Sequence, residues 1–376
     1  MAGASYRVLS CDGGGIRGVI TARLLQALDP SVLDNIDLFA GTSTGSIIAL
    51  GLASGVPIDT IVRLYSSEAC CSQIFEPYLP EVEQDRAGEA LATSEQALAA
   101  TLDGPPDLGD RLRELGPVLL FPKYRSSGLR ELLARHLPDM TLAEVWTRRK
   151  KGVVAPSFQL GAAAASGGRQ WLARLFNNLP HVAWMPDTKV LDAVMASAAA
   201  PVFFPPHDVP RAPGANAFID GGVFANNPST AALAALIGSR VAEERNIPLS
   251  RVYLLSVGTG FTASAYPPPD ARFPYGVLGW MRPRQDDGAP SFPLVGVVFD
   301  GTSQINDFAA SLMLGVDNAI RVNPQFDEPF SMDDCGAVPA MLAATERFMA
   351  TEEWQLQSTR INRLFGNRGP EGQAPA

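Results

Sequence analysis

The chain has 376 residues, of which 46% are hydrophobic and 18% are charged, so it can bury a large core and is typical of a globular protein. Its formal net charge of −9 argues against nucleic acid as the main partner and against purely electrostatic adsorption to an anionic membrane. Because only 3 histidines are present, a histidine-rich metal site is nearly excluded, and we expect neither a metal nor a cofactor.

The targeting and cysteine signals point to the cytoplasm. No apolar run reaches the roughly 18 residues that a membrane span needs, and without a charged-then-apolar start to the sequence we expect no secretory signal. The cysteines show no C-x-x-C spacing and lie at Cys11, Cys70, Cys71 and Cys335. We therefore expect reduced, mostly buried thiols in a cytoplasmic protein that is at most peripheral to a membrane.

The first elements along the chain alternate between strand and helix patterns. An apolar strand pattern over 6–10 leads into a glycine-rich loop, and helical spacing follows over 19–28. A second short strand is predicted over 36–40, and a helix packed on nearly every side over 46–53. This β-α-β-α opening predicts an α/β fold with three α/β/α layers and a mostly parallel central sheet.

The rest of the chain continues this alternation without a linker that would separate two cores. Further helices are predicted over 127–137, 190–200, 295–314 and 339–365, and further strands over 156–163, 170–176, 218–219 and 252–257. We expect a single domain over 1–366, with a helical, cap-like insertion at 58–115 and a disordered tail at 367–376. The aromatic, proline-rich stretch 261–293 is interpreted either as a lid loop or as a surface loop.

The glycine-rich loop after the first strand allows two functional interpretations. Gly13-x-Gly15-x-x-Gly18 follows a strand and opens a helix, as a dinucleotide-binding fingerprint does, and Asp37 lies near the expected position of its ribose-binding acid. However, that acid should end the second strand, whereas Asp37 begins one. Alternatively, the exposed backbone N–H groups stabilise an oxyanion, with help from the positive end of the helix. A plain tight turn would explain one glycine but not four in this loop.

The second motif is the stretch Gly41–Gly45, which we call the elbow. It places Ser43 between two glycines, at a tight turn from a strand into a helix. Such a turn exposes a serine hydroxyl above the sheet and is typical of a nucleophile elbow. On its own the match could equally be an ordinary capped loop.

A nucleophilic serine requires a base, and the sequence offers two kinds. Of the three histidines, His136 and His181 lie in segments that favour surface or structural roles, which leaves His207 as the histidine candidate for a Ser-His-Asp site. Asp220 ends a predicted strand and is followed by two glycines, so a half-buried carboxylate with a raised pKa is the other candidate.

Together the motifs resemble those of one known family, the patatin-like acyl hydrolases. They occur in the order Asp12-Gly13-Gly14-Gly15-Ile16-Arg17-Gly18, Gly41-Thr42-Ser43-Thr44-Gly45 and Asp220-Gly221-Gly222. Segments 121–124, 192–206 and 256–260 also look familial, so the resemblance covers residues 5–365. Segments 81–110 and 262–293 fit the family pattern less well.

The resemblance implies a site and an activity. It implies Ser43 as nucleophile and Asp220 as base in a dyad without histidine, and an oxyanion hole formed by the amides of Gly13, Gly14 and Gly15 with Arg17 nearby. The implied function is a phospholipase A or lysophospholipase-type acyl-ester hydrolase in lipid catabolism or membrane lipid degradation. The partners would be a phospholipid or other acyl-lipid and, transiently, the membrane periphery.

Three other hypotheses remain open at this stage. An oxidoreductase would use the loop Gly13–Gly18 for a nucleotide cofactor, and an acyl-binding protein would carry the same motifs without activity. Some bacterial members of the resembled family are effectors activated by cyclic nucleotides, and the sequence by itself shows no pocket for such an activator.

Overall fold

The structure is a computed structural model that describes residues 4–78, 121–164, 167–214, 217–262, 280–281 and 292–366. Of the predicted helical insertion at 58–115, only the part up to residue 78 is described, and it contains the helices Ile58–Ser66 and Glu68–Ile74. Most of the stretch 261–293, including its interpretation as a lid, and the tail 367–376 lie outside the described residues.

A mixed, mostly parallel sheet forms the centre of the molecule. The strands are β1 (Tyr6–Cys11), β2 (Leu38–Gly41), β3 (Gly152–Ala163), β4 (Arg169–Asn177), β5 (His207–Asp208), β6 (Ala217–Asp220), β7 (Val252–Val257), β8 (Phe261–Thr262), β9 (Ala319–Val322) and β10 (Gln325–Phe326). In the sheet they follow the spatial order β5-β6-β3-β2-β1-β7-β9, and β4 pairs with β3, while β8 and β10 form a separate parallel pair.

Helices cover both faces of the sheet. They are α1 (Gly18–Gln26), α2 (Pro30–Asp34), α3 (Thr44–Ser54), α4 (Ile58–Ser66), α5 (Glu68–Ile74), α6 (Ser126–His136), α7 (Leu142–Glu144), α8 (Val190–Ser197), α9 (Gly222–Ala225), α10 (Ser229–Ser239), α11 (Val241–Glu244), α12 (Pro293–Leu314), α13 (Val338–Met349) and α14 (Glu352–Ile361). Short 3-10 turns lie at Gly15–Arg17, Leu249–Arg251 and Cys335–Ala337, and π-turns at Val145–Arg149 and Asn362–Gly366.

The alternation of side chains along β1 shows the three layers. Tyr6 and Val8 belong to one buried cluster, and Leu9 and Cys11 belong to the other. Because successive residues of a strand point to opposite faces, the two clusters are the cores on either side of the sheet. The predicted α/β fold with a mostly parallel sheet is therefore confirmed.

Two of the differences between the predicted and the observed elements have a local reason. The helical pattern over 339–365 is two helices, because Thr351 accepts a hydrogen bond from the backbone N–H of Trp354 and so starts α14 with its own cap. The short strand β9 was not predicted; it carries only four residues and one of them is Arg321, so its apolar pattern is weak.

The register of β3 explains how distant parts of the chain meet. The same edge of β3 pairs first with β2, at residues 152–154, and then with β6, at residues 157–159, while β4 occupies the opposite edge. β2 runs parallel to β3 and β6 runs antiparallel to it. The two strands therefore approach each other head to head, and the residues that follow β2 meet the end of β6.

The cysteine prediction is wrong for two of the four residues. Cys71 and Cys335 form a disulfide that closes a separation of 264 residues, and Cys11 and Cys70 are free thiols. The C-x-x-C criterion cannot detect a pair so far apart in the chain. The cysteines therefore no longer support the prediction of a reducing, cytoplasmic location.

Among the helices in the described ranges, none combines the length and hydropathy that a membrane span requires.

Candidate active site

Ser43 occupies a strained turn between β2 and α3. Its backbone has φ 52° and ψ −124°, a conformation that L-residues rarely adopt and that functional sites often contain. The glycines on either side are required by contact: a Cβ at Gly41 would lie 2.1 Å from the carbonyl oxygen of Gly45, and a Cβ at Gly45 would lie 2.1 Å from that of Cys11. The turn therefore admits no side chain at Gly41 or Gly45, and the role of Ser43 as a nucleophile stays a prediction.

A buried serine from another helix holds the elbow. The backbone N–H of Ser43 donates to Oγ of Ser197 over 3.0 Å, and that hydroxyl donates to the carbonyl oxygen of Pro156 over 2.7 Å. Ser197 is fully buried at the end of α8. The sequence offered one indirect signal, since Ser197 lies within the segment 192–206 that looks familial, but nothing marked its hydroxyl.

Asp220 lies at the end of β6, where the fold brings it to Ser43. Its side chain is completely buried, and Oδ1 accepts a 2.7 Å hydrogen bond from the backbone N–H of Gly222. Oδ2 has no partner with full hydrogen-bond geometry in the described part of the chain. Burial raises the pKa of Asp220 to about 7, and interactions with the Ser43 hydroxyl and the Gly222 amide oppose part of that rise.

Both glycines after Asp220 are needed for packing. A Cβ at Gly221 would lie 2.3 Å from the carbonyl oxygen of Pro156, and one at Gly222 would lie 2.9 Å from the ring of Phe299. The Asp-Gly-Gly motif therefore allows the end of β6 to pass close to β3 and α12.

The glycine loop, residues 12–18, offers two free backbone donors rather than three. The N–H of Gly13 donates to the carbonyl oxygen of Asn226 over 3.0 Å. The N–H groups of Gly14 and Gly15 have no acceptor among the described residues. Gly15 has φ 60° and a Cβ there would lie 2.1 Å from the carbonyl oxygen of Met332, so the loop conformation excludes a side chain.

The remaining loop residues serve the loop itself. Arg17 donates a hydrogen bond from Nε to the carbonyl oxygen of Gly14 over 3.4 Å. It therefore holds the loop through a carbonyl group and not through the backbone N–H groups that would bind an oxyanion. Burial lowers the pKa of Arg17, and the carboxylates of Asp300 and Asp12 oppose this. At Gly18 a Cβ would lie 2.3 Å from Oγ1 of Thr44, which explains the glycine where α1 passes the elbow.

Two residues that sequence reasoning missed tie this loop to the rest of the site. Arg321 on β9 forms a two-pronged ion pair with Asp12, at 2.8 Å and 2.5 Å. Asn226 accepts from Gly13 and also donates from Nδ2 to the Gly13 carbonyl oxygen and to Oγ of Ser303. The base-bearing segment and the glycine loop are therefore parts of one hydrogen-bonded unit.

An apolar pocket opens beside Ser43. It encloses about 580 Å³ when its solvent-open mouth is included. Apart from the glycine loop and the elbow, its walls are almost entirely aliphatic and aromatic, contributed by Ile47, Tyr65, Ile74, Phe75, Leu129, Ala198, Ala200, Phe203, Phe204, Phe299 and Met332. No ionisable carboxylate or cation lines it within the described residues, so it suits a hydrocarbon chain.

The histidines have other partners. Nε2 of His207 lies 3.2 Å from Oδ1 of Asp192, and Nε2 of His181 lies 3.1 Å from Oε1 of Glu244 at the surface. Nδ1 of His136 lies 2.9 Å from the carbonyl oxygen of Leu132 in its own helix. No group of metal-ligating side chains assembles in the part of the chain that the structure describes.

The position of Asp37 contradicts the dinucleotide interpretation. Its Oδ2 accepts a 2.9 Å hydrogen bond from the backbone N–H of Arg7, near the start of β1. The glycine loop follows the other end of β1, after Cys11. An acid at the amino ends of these parallel strands cannot reach a ribose that is bound at their carboxyl ends.

Comparison with known proteins assigns the family. A sequence model described as patatin-like phospholipase matches residues 9–233, a span that contains the glycine loop, the elbow and Asp220. The chain belongs to the patatin-like phospholipase family. Members of this family are lipid acyl hydrolases of the carboxylic ester hydrolase class, so the enzyme class and the lipid substrate predicted from the sequence are confirmed.

The family assignment agrees with individual relatives. Protein teg of Priestia megaterium is 27% identical over 91% of this chain and 94% of its own length. Patatin-like protein 1 of Arabidopsis thaliana is 26% identical over 83% of this chain and 71% of its own. A cGAMP-activated phospholipase of Escherichia coli (strain TW11681) is 30% identical over 67% of this chain and 62% of its own.

Proposed function

We propose that this patatin-like protein hydrolyses acyl esters of phospholipids, as a phospholipase A or lysophospholipase-type enzyme, with a Ser43–Asp220 dyad. The observation that carries the proposal is the buried Asp220 carboxyl, whose pKa is raised to about 7 and which meets the hydroxyl of a serine held in a strained elbow. A carboxylate with such a pKa can accept a proton from serine near neutral pH.

In the acylation step, Asp220 takes the proton of the Ser43 hydroxyl while Oγ forms a bond to the ester carbonyl carbon. The carbonyl π electrons move to oxygen, and the N–H groups of Gly14 and Gly15 stabilise the resulting oxyanion. When the tetrahedral intermediate collapses, the bond to the leaving alkoxide breaks and Asp220 returns the proton to it. The alcohol product leaves and the acyl group stays on Ser43.

Deacylation repeats these roles with water. Asp220 accepts a proton from water while the hydroxide oxygen bonds to the acyl carbon, and the same amides stabilise the second oxyanion. The bond to Ser43 Oγ then breaks, the serine recovers its proton from Asp220, and a fatty acid is released. Both steps require Asp220 to be ionised at the start.

The pocket supports an acyl lipid as the substrate. Its aromatic and aliphatic walls suit the hydrocarbon chain, and its lining in the described residues holds no cation that would bind a phosphate headgroup inside. The headgroup therefore stays at the mouth, where a lipid surface would lie.

Trapping the nucleophile tests the proposal. A fluorophosphonate probe should label the wild-type protein, and Ser43→Ala should abolish both labelling and hydrolysis of a soluble short-chain ester. Ser250→Ala, at an exposed serine far along the chain, is the matched control and should retain both. Full esterase activity of Ser43→Ala would refute the serine assignment. If His207→Ala abolished activity while Asp220→Asn retained it, a Ser-His-Asp site would replace the dyad.

A cyclic-nucleotide-gated effector is a second candidate function. It is supported by relatives named cGAMP-activated phospholipase, which are 30% identical over 67% and 60% of this chain. In this case cGAMP would raise phospholipid hydrolysis several-fold at a fixed enzyme concentration. An unchanged rate at saturating cGAMP would leave the ungated hydrolase as the function.

A further inference from the structure

Helix α12 exposes an apolar stripe along its solvent side. Its large exposed side chains recur at helical spacing and are 44% to 69% accessible. We call this stripe the outer face, and it consists of Leu294, Val297, Ile305, Phe308 and Leu312. From first to last it extends about 27 Å along the helix axis, because a helix rises about 1.5 Å per residue.

The orientation of α12 is set by polar contacts on its other side. Thr302 donates from Oγ1 to the carbonyl oxygen of Gly222 over 3.3 Å, and Ser303 donates from Oγ to Oδ2 of Asp12 over 3.4 Å. Oδ1 of Asn306 accepts a hydrogen bond from the hydroxyl of Thr230 on α10. The inner side of the helix therefore holds half-buried polar side chains together with the buried Phe299, Ala310 and Leu314. Large apolar side chains also stand on its outer side, where an ordinary surface helix is polar.

The same helix borders the substrate pocket. Phe299 lines that pocket from the inner side of α12. Phe292, which immediately precedes the helix, packs against the Phe203 ring with 5.5 Å between centroids, and Phe203 also lines the pocket. The helix that carries the outer face therefore also forms part of the wall of the cavity that is proposed to take the acyl chain.

Charge identifies the kind of surface that the outer face fits. The charged residues of α12 are Asp300 and Asp307, and both lie beside the outer face rather than on it. The helix has no Lys or Arg, and the whole chain has a net charge of −9. Attraction to anionic headgroups is therefore absent, and contact must come from burial of apolar side chains.

We propose that the outer face of α12 docks the enzyme on the apolar interface of a zwitterionic lipid surface. This inference rests on the proposed function, because a lipid ester substrate would be drawn from such a surface. Docking of this kind needs no anionic lipid and is insensitive to salt.

The test measures binding without turnover. In a Ser43→Ala background, cosedimentation with phosphatidylcholine vesicles should show binding, and Phe308→Glu or Ile305→Glu should lower the partition coefficient about tenfold or more. Leu356→Glu is the control, since Leu356 is equally exposed, at 66%, on α14. Thermal unfolding checks that each variant is folded, and Phe308→Ser serves as a milder second variant.

Three results would overturn the docking inference. The first is an unchanged partition coefficient in the folded Glu and Ser variants. The second is vesicle binding that appears only with anionic lipid and is lost at high salt. The third is a wild-type protein that binds no vesicles but forms a dimer, which Phe308→Glu dissociates. The last would show that the outer face is an interface between two copies of the chain.

The proposed function is tested separately by soluble-ester hydrolysis in wild type and Ser43→Ala. That assay uses neither vesicles nor the α12 variants, so failure of the dyad and failure of the docking surface give different results.

Discussion

The backbone N–H of Ser43 and the hydroxyl of Ser197 are joined by a 3.0 Å hydrogen bond inside the protein core. This contact links the elbow to α8 and, through the carbonyl oxygen of Pro156, to β3. Ser197 contacts Ser43, the proposed nucleophile, through the Ser43 backbone N–H, so we infer that it positions the elbow rather than takes part in the reaction.

Replacement of Ser197 by Ala should therefore lower kcat about tenfold with little change in KM, because the strained turn loses its fixed geometry. The measurement is steady-state hydrolysis of a soluble short-chain ester. Ser54→Ala is the matched control, since Ser54 is also buried but bonds only within its own helix, to the carbonyl oxygen of Leu50. Equal losses of kcat in the two variants would show that Ser197 is merely structural.

The raised pKa of Asp220 predicts the pH dependence of activity. Because the ionised carboxylate is the reactive form, kcat/KM should rise tenfold per pH unit below about pH 7 and level off above it. The profile is measured with an uncharged ester whose own ionisation does not vary. A plateau that extends down to pH 5 would contradict Asp220 as the base.

Stability should change with pH in the opposite sense. The folded pKa of Asp220 is near 7 and an unfolded Asp has one near 3.9, so the folded state binds more protons between these values and its stability falls as pH rises through this window. The difference amounts to at most about 4 kcal/mol. Asp220→Asn, which cannot ionise, should gain stability relative to wild type from pH 4 to 7, as measured by chemical denaturation. A constant difference between the two proteins would rule out this linkage.

The glycine loop should tolerate no side chain at Gly15. Ala at this position would place a Cβ 2.1 Å from the Met332 carbonyl oxygen in a backbone with φ 60°, so the amide moves away from the oxyanion. We expect kcat to fall by about two to three orders of magnitude. Gly296→Ala, where a Cβ meets nothing within 4 Å, should keep the wild-type rate on the soluble ester.

Reduction of the Cys71–Cys335 disulfide should destabilise the protein by about 2–4 kcal/mol, because it releases a closed loop of 264 residues in the unfolded chain. Chemical denaturation with and without reductant measures this. The Cys71→Ser/Cys335→Ser double variant should resemble the reduced wild type and should not respond to reductant. If reductant also destabilised the double variant, the loss of stability could not be assigned to the Cys71–Cys335 disulfide.

Local pattern was sufficient for the parts of the site that lie within single turns. Ser43 and Asp220 could be proposed as a pair from the sequence because each stands in a short motif, and in the structure the glycines of both motifs make close contacts. The strand and helix alternation around them likewise predicted a parallel sheet, since each element has an apolar period of its own.

Contacts between distant segments could not be predicted in the same way. Ser197, Asn226 and Arg321 act through partners 154, 213 and 309 residues away, and no local spacing records such pairs. The disulfide was missed for the same reason. The glycine loop is the clearest case. The sequence suggested three free backbone N–H groups, but in the fold the N–H of Gly13 donates to the carbonyl oxygen of Asn226.

The head-to-head approach of β2 and β6 along one edge of β3 has a consequence for how such an enzyme can diverge. The distance between Ser43 and Asp220, the proposed nucleophile and base, is set by a backbone ladder, which depends little on side-chain identity. Loops and helices around the pocket can then be exchanged, lengthened or redesigned for new lipids without moving the two reacting groups apart. The sheet would keep the two residues in place, while the loops and helices around the pocket would determine which lipid binds.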